Sequence, residues 1–464
     1  MPEPREPLRP DVERGLSLGL AALAAAVAIT CGSQAQIDRG ATRLVSAPSA
    51  SGAPMKPAPA PLGAPSSSAG VAGAAHDPSL PASAGAAIDP TRLDLLHFYA
   101  ELAGLAAHTR KTPVRVLWLG DSHTAADYLT GELRARLEAR FGAGGPGFVR
   151  IAVKHSRHSQ VHLASEGAWR IEPPQPSRRA PFDDGVLGLG GMRAVPGDAP
   201  AFASFEVSKG VAHGELRWQL WFAAPEGASF RLDLAGVSQV VTHATSADSF
   251  PGSGLTRLAL RSALGDKFSI TTLGGAPRFF GLIVEGSEPG VVLDAVGIDG
   301  ARVATALAWG EQSFETAVAA RSPSLLALAF GTNEAFDADN VEKYRAQYQE
   351  LLGRVRKASP AVDCLIVGPP DANAANGGSE PRVKEIDALE QSVAGELGCG
   401  YLSQLSIMGG PGSYTHWANK LPPLARGDRL HLTPKGYEIV ADALADKLLD
   451  AYARSPAASA VKPQ

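Results

Sequence analysis

A hydroxyl, an imidazole and a carboxylate occur in this sequence where acyl transfer would need them. Gly120-Asp121-Ser122 follows the apolar run Val114 to Leu119 and precedes a helical pattern from Tyr128 to Phe141. A serine at such a junction meets free backbone N–H groups and the positive end of the helix dipole. Far along the chain, Asp428 and His431 stand three residues apart, just before the last helical pattern. On one loop the carboxylate can hold one ring N–H and fix the tautomer, leaving the other nitrogen to take the serine proton. The oxyanion formed on the attacked carbonyl needs donors, each worth roughly 3 kcal/mol of transition-state stabilisation. Gly300 can bring a backbone N–H close, and Asn333 can present an amide.

Each feature alone has an everyday reading. Gly-Asp-Ser is often a turn with a helix cap, the Asp428 and His431 pair could be a helix entry or two metal ligands, Gly300 could serve a turn, and Asn333 could cap a helix. Four such features at four strand ends favour one site over four coincidences.

The elements that must position them alternate. Val114 to Leu119, Val291 to Val296, Leu325 to Phe330, Cys364 to Val367 and Tyr401 to Ser403 read as strands. Tyr128 to Phe141, Phe314 to Arg321, Asn340 to Lys357, Val383 to Leu397 and Gly436 to Tyr452 read as helices. That alternation predicts a parallel sheet covered on both faces, with chemistry at the C-terminal strand ends. Between 149 and 289 the pattern changes to short alternating strands, such as Ala203 to Val207, Leu216 to Phe222 and Phe268 to Thr272, separated by Gly, Pro and Ser. They predict an antiparallel β-sandwich inserted in the α/β domain. Expected boundaries are 89–148 and 290–455 for the two parts of the α/β domain, with a disordered tail at 456–464.

The N-terminal region has its own signals. Arg5, Arg9 and Arg14 precede the apolar run Leu16 to Ile29 and then Cys31, the order of an export signal over 1–33. Ala28-Ile29-Thr30-Cys31 resembles an imperfect bacterial lipobox, so the alternatives are a lipidated Cys31, an uncleaved anchor or an ordinary signal. Residues 34–88 are Ala, Pro, Ser and Gly with few large apolar side chains and read as a disordered tether. A periplasmic or cell-surface enzyme, joined to a membrane only through this N-terminus, is expected. The formal charge of -4 over 464 residues supplies no field for holding a polyanion, so nucleic acid is not an expected partner.

Taken in order, Gly120-Asp121-Ser122, Gly300, Gly331-Thr332-Asn333 and Asp428-Arg429-Leu430-His431 resemble the four blocks of the SGNH, or GDSL-like, hydrolases. The resemblance implies a flavodoxin-like three-layer α/β/α fold. It also implies Ser122 as nucleophile, His431 as base and Asp428 as its orienting acid, with Ser122, Gly300 and Asn333 forming the oxyanion hole. Gly120 to Tyr128, Gly144-Gly145-Pro146-Gly147-Phe148, Gly297 to Ala301 and the run Asp428 to Thr433 are similar to bacterial peptidoglycan O-acetylesterases and O-acetyltransferases. Asp299 departs from the usual Asn. That subfamily carries a carbohydrate-binding-module-like insertion in the same place, here expected to be jelly-roll-like. An acylated glycan is the implied substrate and no cofactor is needed. The alternatives are transfer of the acyl group to a sugar, lipolytic activity on longer acyl chains, and a non-catalytic carbohydrate-binding protein.

Other residues invite weaker readings. His155, His158 and His162 lack a carboxylate partner and a regular helix, so exposed polar residues are expected rather than a metal site. His123 follows the nucleophile and is expected to pack rather than act as a base. Trp218, Trp221 and Phe222 are expected to fill the sandwich core rather than stack on sugar. Trp417 lies in the expected loop Gly409 to Arg429, before Asp428, and is a candidate wall of the acyl or sugar pocket. Cys364 and Cys399 could pair in an oxidising compartment; separate buried thiols are the expectation.

Overall fold

The computed structural model of the protein describes residues 93–461 apart from 155, 198 and 199. The expected export signal, Cys31, the expected tether and His155 therefore lie outside the described residues. Five strands, β1 (Val114–Gly120), β2 (Val291–Gly297), β3 (Leu325–Ala329), β4 (Asp363–Gly368) and β5 (Gly400–Ser403), form one sheet in the order β2-β1-β3-β4-β5. All its pairings are parallel. Both faces are buried, so the strands are almost continuously apolar instead of alternating. The period of two still sorts their side chains: Leu117, Leu119, Leu326, Leu328 and Ile366 enter one core, and Val116, Trp118, Leu325, Ala327 and Leu365 the other.

Helices α1 (Leu96–Ala106), α2 (Leu129–Phe141) and α6 (Pro434–Arg454) cover the Trp118 face. Helices α3 (Glu311–Arg321), α4 (Glu342–Ala358) and α5 (Pro381–Leu397) cover the Leu117 face. This is the expected three-layer architecture.

The insertion consists of two antiparallel sheets. One runs Asp248–Phe250, Leu255–Ser262, Leu216–Ala223, Arg278–Gly286, Arg193–Pro196, Trp169–Glu172, with Gly147–Val149 also paired to Arg278–Gly286; the other runs Val161–Glu166, Phe202–Val207, Lys267–Gly274, Ser229–Leu234, Val237–Thr242. Phe205, Trp218, Leu220, Phe222, Phe230, Phe268 and Leu282 fill the space between them, with Trp218 stacked on Phe268 at 5.4 Å. Trp221 departs from expectation. Strand alternation sends it to the opposite face from Trp218 and Phe222, where it joins Phe280 and Trp309 in the α/β core. The sandwich is thus built onto the α/β domain by its own second face. A buried ionic group reinforces the junction: Glu285 accepts from Arg115 at 2.7 and 2.9 Å and pairs with Arg321 at 2.8 Å, and Arg321 also binds Asp294 at 2.8 Å.

Three further expectations are corrected. Cys364 and Cys399 are not separate thiols but form a disulfide. The register Leu365↔Gly400 between β4 and β5 puts the two cysteines side by side, with Cα atoms 4.8 Å apart; a parallel register is not legible in the sequence. Residues 456–459 are not part of a disordered tail: Pro456–Ser459 is a short helix whose Ala457 and Ala458 pack on the core with Val461. The stretch Gly409 to Arg429, expected as a loop, contains the helix Ser413–Ala418.

Candidate active site

The turn carrying Ser122 is built by its neighbours. Asp121 caps the short helix Ser122–Ala125, its Oδ1 accepting from the His123 N–H at 2.9 Å. The turn lies directly across the ends of β1 and β2, and a Cβ on Gly297 would come within 2.2 Å of the Ala125 nitrogen. Only glycine permits that approach. Thr124 is buried and accepts from the Trp118 indole at 3.1 Å, while Ser122 is half-exposed.

Ser122, His431 and Asp428 meet in one hydrogen-bonded line. The Ser122 Oγ lies 2.8 Å from His431 Nε2, and His431 Nδ1 lies 3.0 Å from Asp428 Oδ2. An ionised carboxylate can only accept, so Nδ1 carries the proton and Nε2 is free to accept from the serine hydroxyl. The other carboxylate oxygen accepts from the backbone N–H groups of Leu430 at 3.0 Å and His431 at 2.9 Å. Burial works to raise the Asp428 pKa, but these N–H groups and the imidazole outweigh it and hold the carboxyl at about 2. Tyr414, on the unforeseen helix, ties the loop together by donating to Asp428 at 3.3 Å and lying 2.8 Å from the Arg426 carbonyl oxygen.

His123 supports this line from behind. Its Nδ1 is 2.8 Å from the Tyr437 hydroxyl and its ring centroid 5.3 Å from that of His431. Burial, and then the nearby His431, push its pKa down to about 3, so it is a neutral packing partner. Tyr437 in turn stacks on Tyr128, which lies under the Arg157 guanidinium. The expected packing role of His123 holds, but its contact with the His431 imidazole was not foreseen.

Gly300 and Asn333 come together at the neighbouring strand ends. Gly300 adopts φ +75°, a conformation that favours glycine. The Asn333 amide donates to the Ala301 carbonyl at 2.9 Å, joining the two segments. Glu334 joins them a second time, accepting from Val303 N–H at 2.9 Å and Gly331 N–H at 3.0 Å. Burial raises the Glu334 carboxyl to about 7, and burial raises that of Asp121 to the same range. Gly300, Asn333 and Ser122 are all half-exposed, so the open face of this constellation meets solvent.

Trp417 is not a pocket wall. It is buried in the α/β core and its indole donates to the Met408 carbonyl at 3.1 Å. Helix Ser413–Ala418 turns it inward, which a loop reading could not foresee. Of the histidines considered for metal, His162 is exposed on a strand, while His158 is half-buried, with Nε2 3.2 Å from the Pro146 carbonyl oxygen.

The GDSL-like Lipase/Acylhydrolase family matches residues 263–439. That segment holds Gly300, Asn333, Asp428 and His431, whereas Ser122 lies before it, beyond the insertion. No functionally curated protein matches the chain. A solved structure of a peptidoglycan O-acetylesterase is 25% identical, with a TM-score of 0.65, covering 77% of this chain and 97% of its own. A lipase/acylhydrolase from Enterococcus faecalis is 18% identical, with a TM-score of 0.27, covering 35% of this chain and 76% of its own. A family two carbohydrate esterase from Clostridium thermocellum in complex with cellohexaose is 9% identical, with a TM-score of 0.25, covering 62% and 98%. With its five-stranded parallel sheet, its inserted β domain and the four motif segments gathered at the sheet's C-terminal edge, the protein shares the fold of that O-acetylesterase structure, and its residues 263–439 match the GDSL-like lipase/acylhydrolase family.

Proposed function

We propose that the protein is an exported serine esterase that removes small acyl groups, O-acetyl above all, from peptidoglycan or another cell-wall polysaccharide. The observation that carries the reading is the unbroken line from Ser122 Oγ through His431 to Asp428. The likeness over most of the chain to a peptidoglycan O-acetylesterase supports acetylated glycan as the substrate.

Ser122 Oγ attacks the ester carbonyl carbon while His431 Nε2 takes its proton. The carbonyl oxygen becomes an oxyanion that accepts from the Ser122 and Gly300 N–H groups and the Asn333 amide. As the tetrahedral intermediate collapses, His431 returns the proton to the departing sugar oxygen, leaving an acyl-Ser122. Water then attacks the acyl carbon with His431 again as base, releasing acetate and Ser122. Asp428 holds the Nδ1–H tautomer throughout and stabilises the imidazolium that forms in each half. The mechanism calls on no cofactor. The inserted sandwich holds the glycan beside the cleft, and the N-terminal segment delivers the enzyme outside the cytoplasm and tethers it there.

Ser122→Ala should abolish acetate release from acetylated peptidoglycan and from 4-nitrophenyl acetate, and should abolish labelling by a fluorophosphonate, with an unchanged thermal midpoint. Retained turnover in that variant would refute the mechanism.

A further inference from the structure

The inserted domain reaches the oxyanion-hole segment by one stretch of chain. After Trp169–Glu172 the backbone runs through Pro173, Pro174, Gln175, Pro176, Ser177, Arg178, Arg179, Ala180 and Pro181 without regular secondary structure. The four prolines fix φ at their positions and lower the freedom of the stretch. Ser177 lies over Gly300: a Cβ on Gly300 would stand 3.5 Å from both Cβ and Oγ of Ser177. The Ser177 carbonyl accepts from the Thr305 hydroxyl at 3.0 Å.

The same stretch is strapped down by ions. Arg179 donates to Asp337 at 3.1 Å and to Asp339 at 3.3 Å. Asp337 accepts two bonds from Arg302, each 2.6 Å, and Arg302 donates to the Gly300 carbonyl at 2.9 Å. The planar guanidinium of Arg302 therefore fixes the Gly300 turn and the Asp337 carboxylate in one geometry. Arg179 fastens the insertion to that carboxylate.

An ester whose carbonyl oxygen accepts from the Gly300 N–H at about 3 Å is brought close to Gly300, and Ser177 is the side chain that lies over Gly300. We propose that the Pro173–Pro181 stretch of the inserted domain is the wall of the acyl pocket, that Ser177 is the residue limiting the acyl group to acetyl, and that the Arg179–Asp337–Arg302 strap holds the wall in place. The inference rests on the esterase reading and extends it. The insertion then has a task in the acyl site, separate from any hold on the glycan.

The test is the acyl-chain profile of the whole chain on 4-nitrophenyl acetate, propionate and butyrate. One methylene in an enclosed pocket is worth about tenfold or more in kcat/KM. Ser177→Gly should therefore raise the propionate-to-acetate ratio of kcat/KM about tenfold. Arg179→Ala, which frees the wall without altering its surface, should shift the ratio in the same direction, and Ser177→Val should lower it. A residue that only supported the fold would change the rates on all three esters together and leave the ratio alone. Unchanged ratios in Ser177→Gly and Ser177→Val, with a wild-type enzyme active on acetate, would overturn the assignment and leave the esterase reading intact. A wild-type protein that turns over none of the esters would overturn the esterase reading and this inference with it.

Discussion

Replacing Asp428 separates two contributions that the site combines. The carboxylate lies 3.0 Å from His431 Nδ1 and its side chain is 43% exposed. Two unit charges at that distance attract by about 1.4 kcal/mol in bulk water and by about 5.5 kcal/mol at an effective dielectric of 20. The exposure argues for the lower half of that range, about 2–3 kcal/mol, or about 30- to 150-fold in rate. Asp428→Ala should lose this electrostatic part, with the freed imidazole still able to adopt either tautomer. Asp428→Asn should do more harm. Its amide oxygen can keep the bonds from the Leu430 and His431 N–H groups, which turns the NH2 toward Nδ1. A donor there forces the proton onto Nε2, the atom that must accept from Ser122, and the wrong tautomer costs about 10^4-fold in kcat where it has been imposed on a Ser-His-Asp site. Initial rates on 4-nitrophenyl acetate, together with the rate of fluorophosphonate labelling, should rank wild type above Ala and Ala above Asn. An Asn variant within tenfold of wild type would refute the assignment of the Nδ1–H tautomer and the role given to Asp428.

Two further outcomes concern stability. Glu334 is raised by burial from an ordinary 4.5 to about 7, so its contribution is complete below about pH 4.5 and is lost as the pH rises through about 7. The thermal midpoint of the wild type should fall between pH 5 and 8, and Glu334→Gln, which keeps one of the two backbone bonds, should have a lower midpoint with a flatter slope; an equal slope in both proteins would clear Glu334 of the effect. The Cys364 to Cys399 disulfide closes a loop of sequence separation 35, for which chain entropy predicts about 4 kcal/mol; Cys364→Ala/Cys399→Ala should show that loss in urea unfolding, and a difference below about 1 kcal/mol would show that the reduced chain is already constrained.

Much of the fold is legible because burial writes itself into residue order. The β1 run is apolar on both faces, and Leu216 to Phe222 alternates, so the parallel sheet and the sandwich are separable by eye. The Ser122, His431 and Asp428 line is legible because its members lie at element ends, where glycine, caps and turns punctuate the sequence. What stays hidden depends on register and on direction. Cys364 faces Cys399 only through the β4 and β5 pairing. Trp417 turns inward only because six residues in an expected loop form a helix. Tyr437 meets His123 across 314 positions, and no local pattern marks a contact at that separation.

The placement of the insertion bears on how the protein folds. Both neighbours of β1 are synthesised after the sandwich, and Arg115 meets Glu285 across 170 positions. Left open, so long a segment would carry the closure entropy of a long loop. The sandwich closes it instead: Gly147–Val149 pairs with Leu282 to Val284, and Ala143 bridges to Val291 at the start of β2. The closed insertion thereby holds β2 at the side of β1. The strand that leads to Ser122 is thus flanked through a domain that contributes none of the three residues of its hydrogen-bonded line.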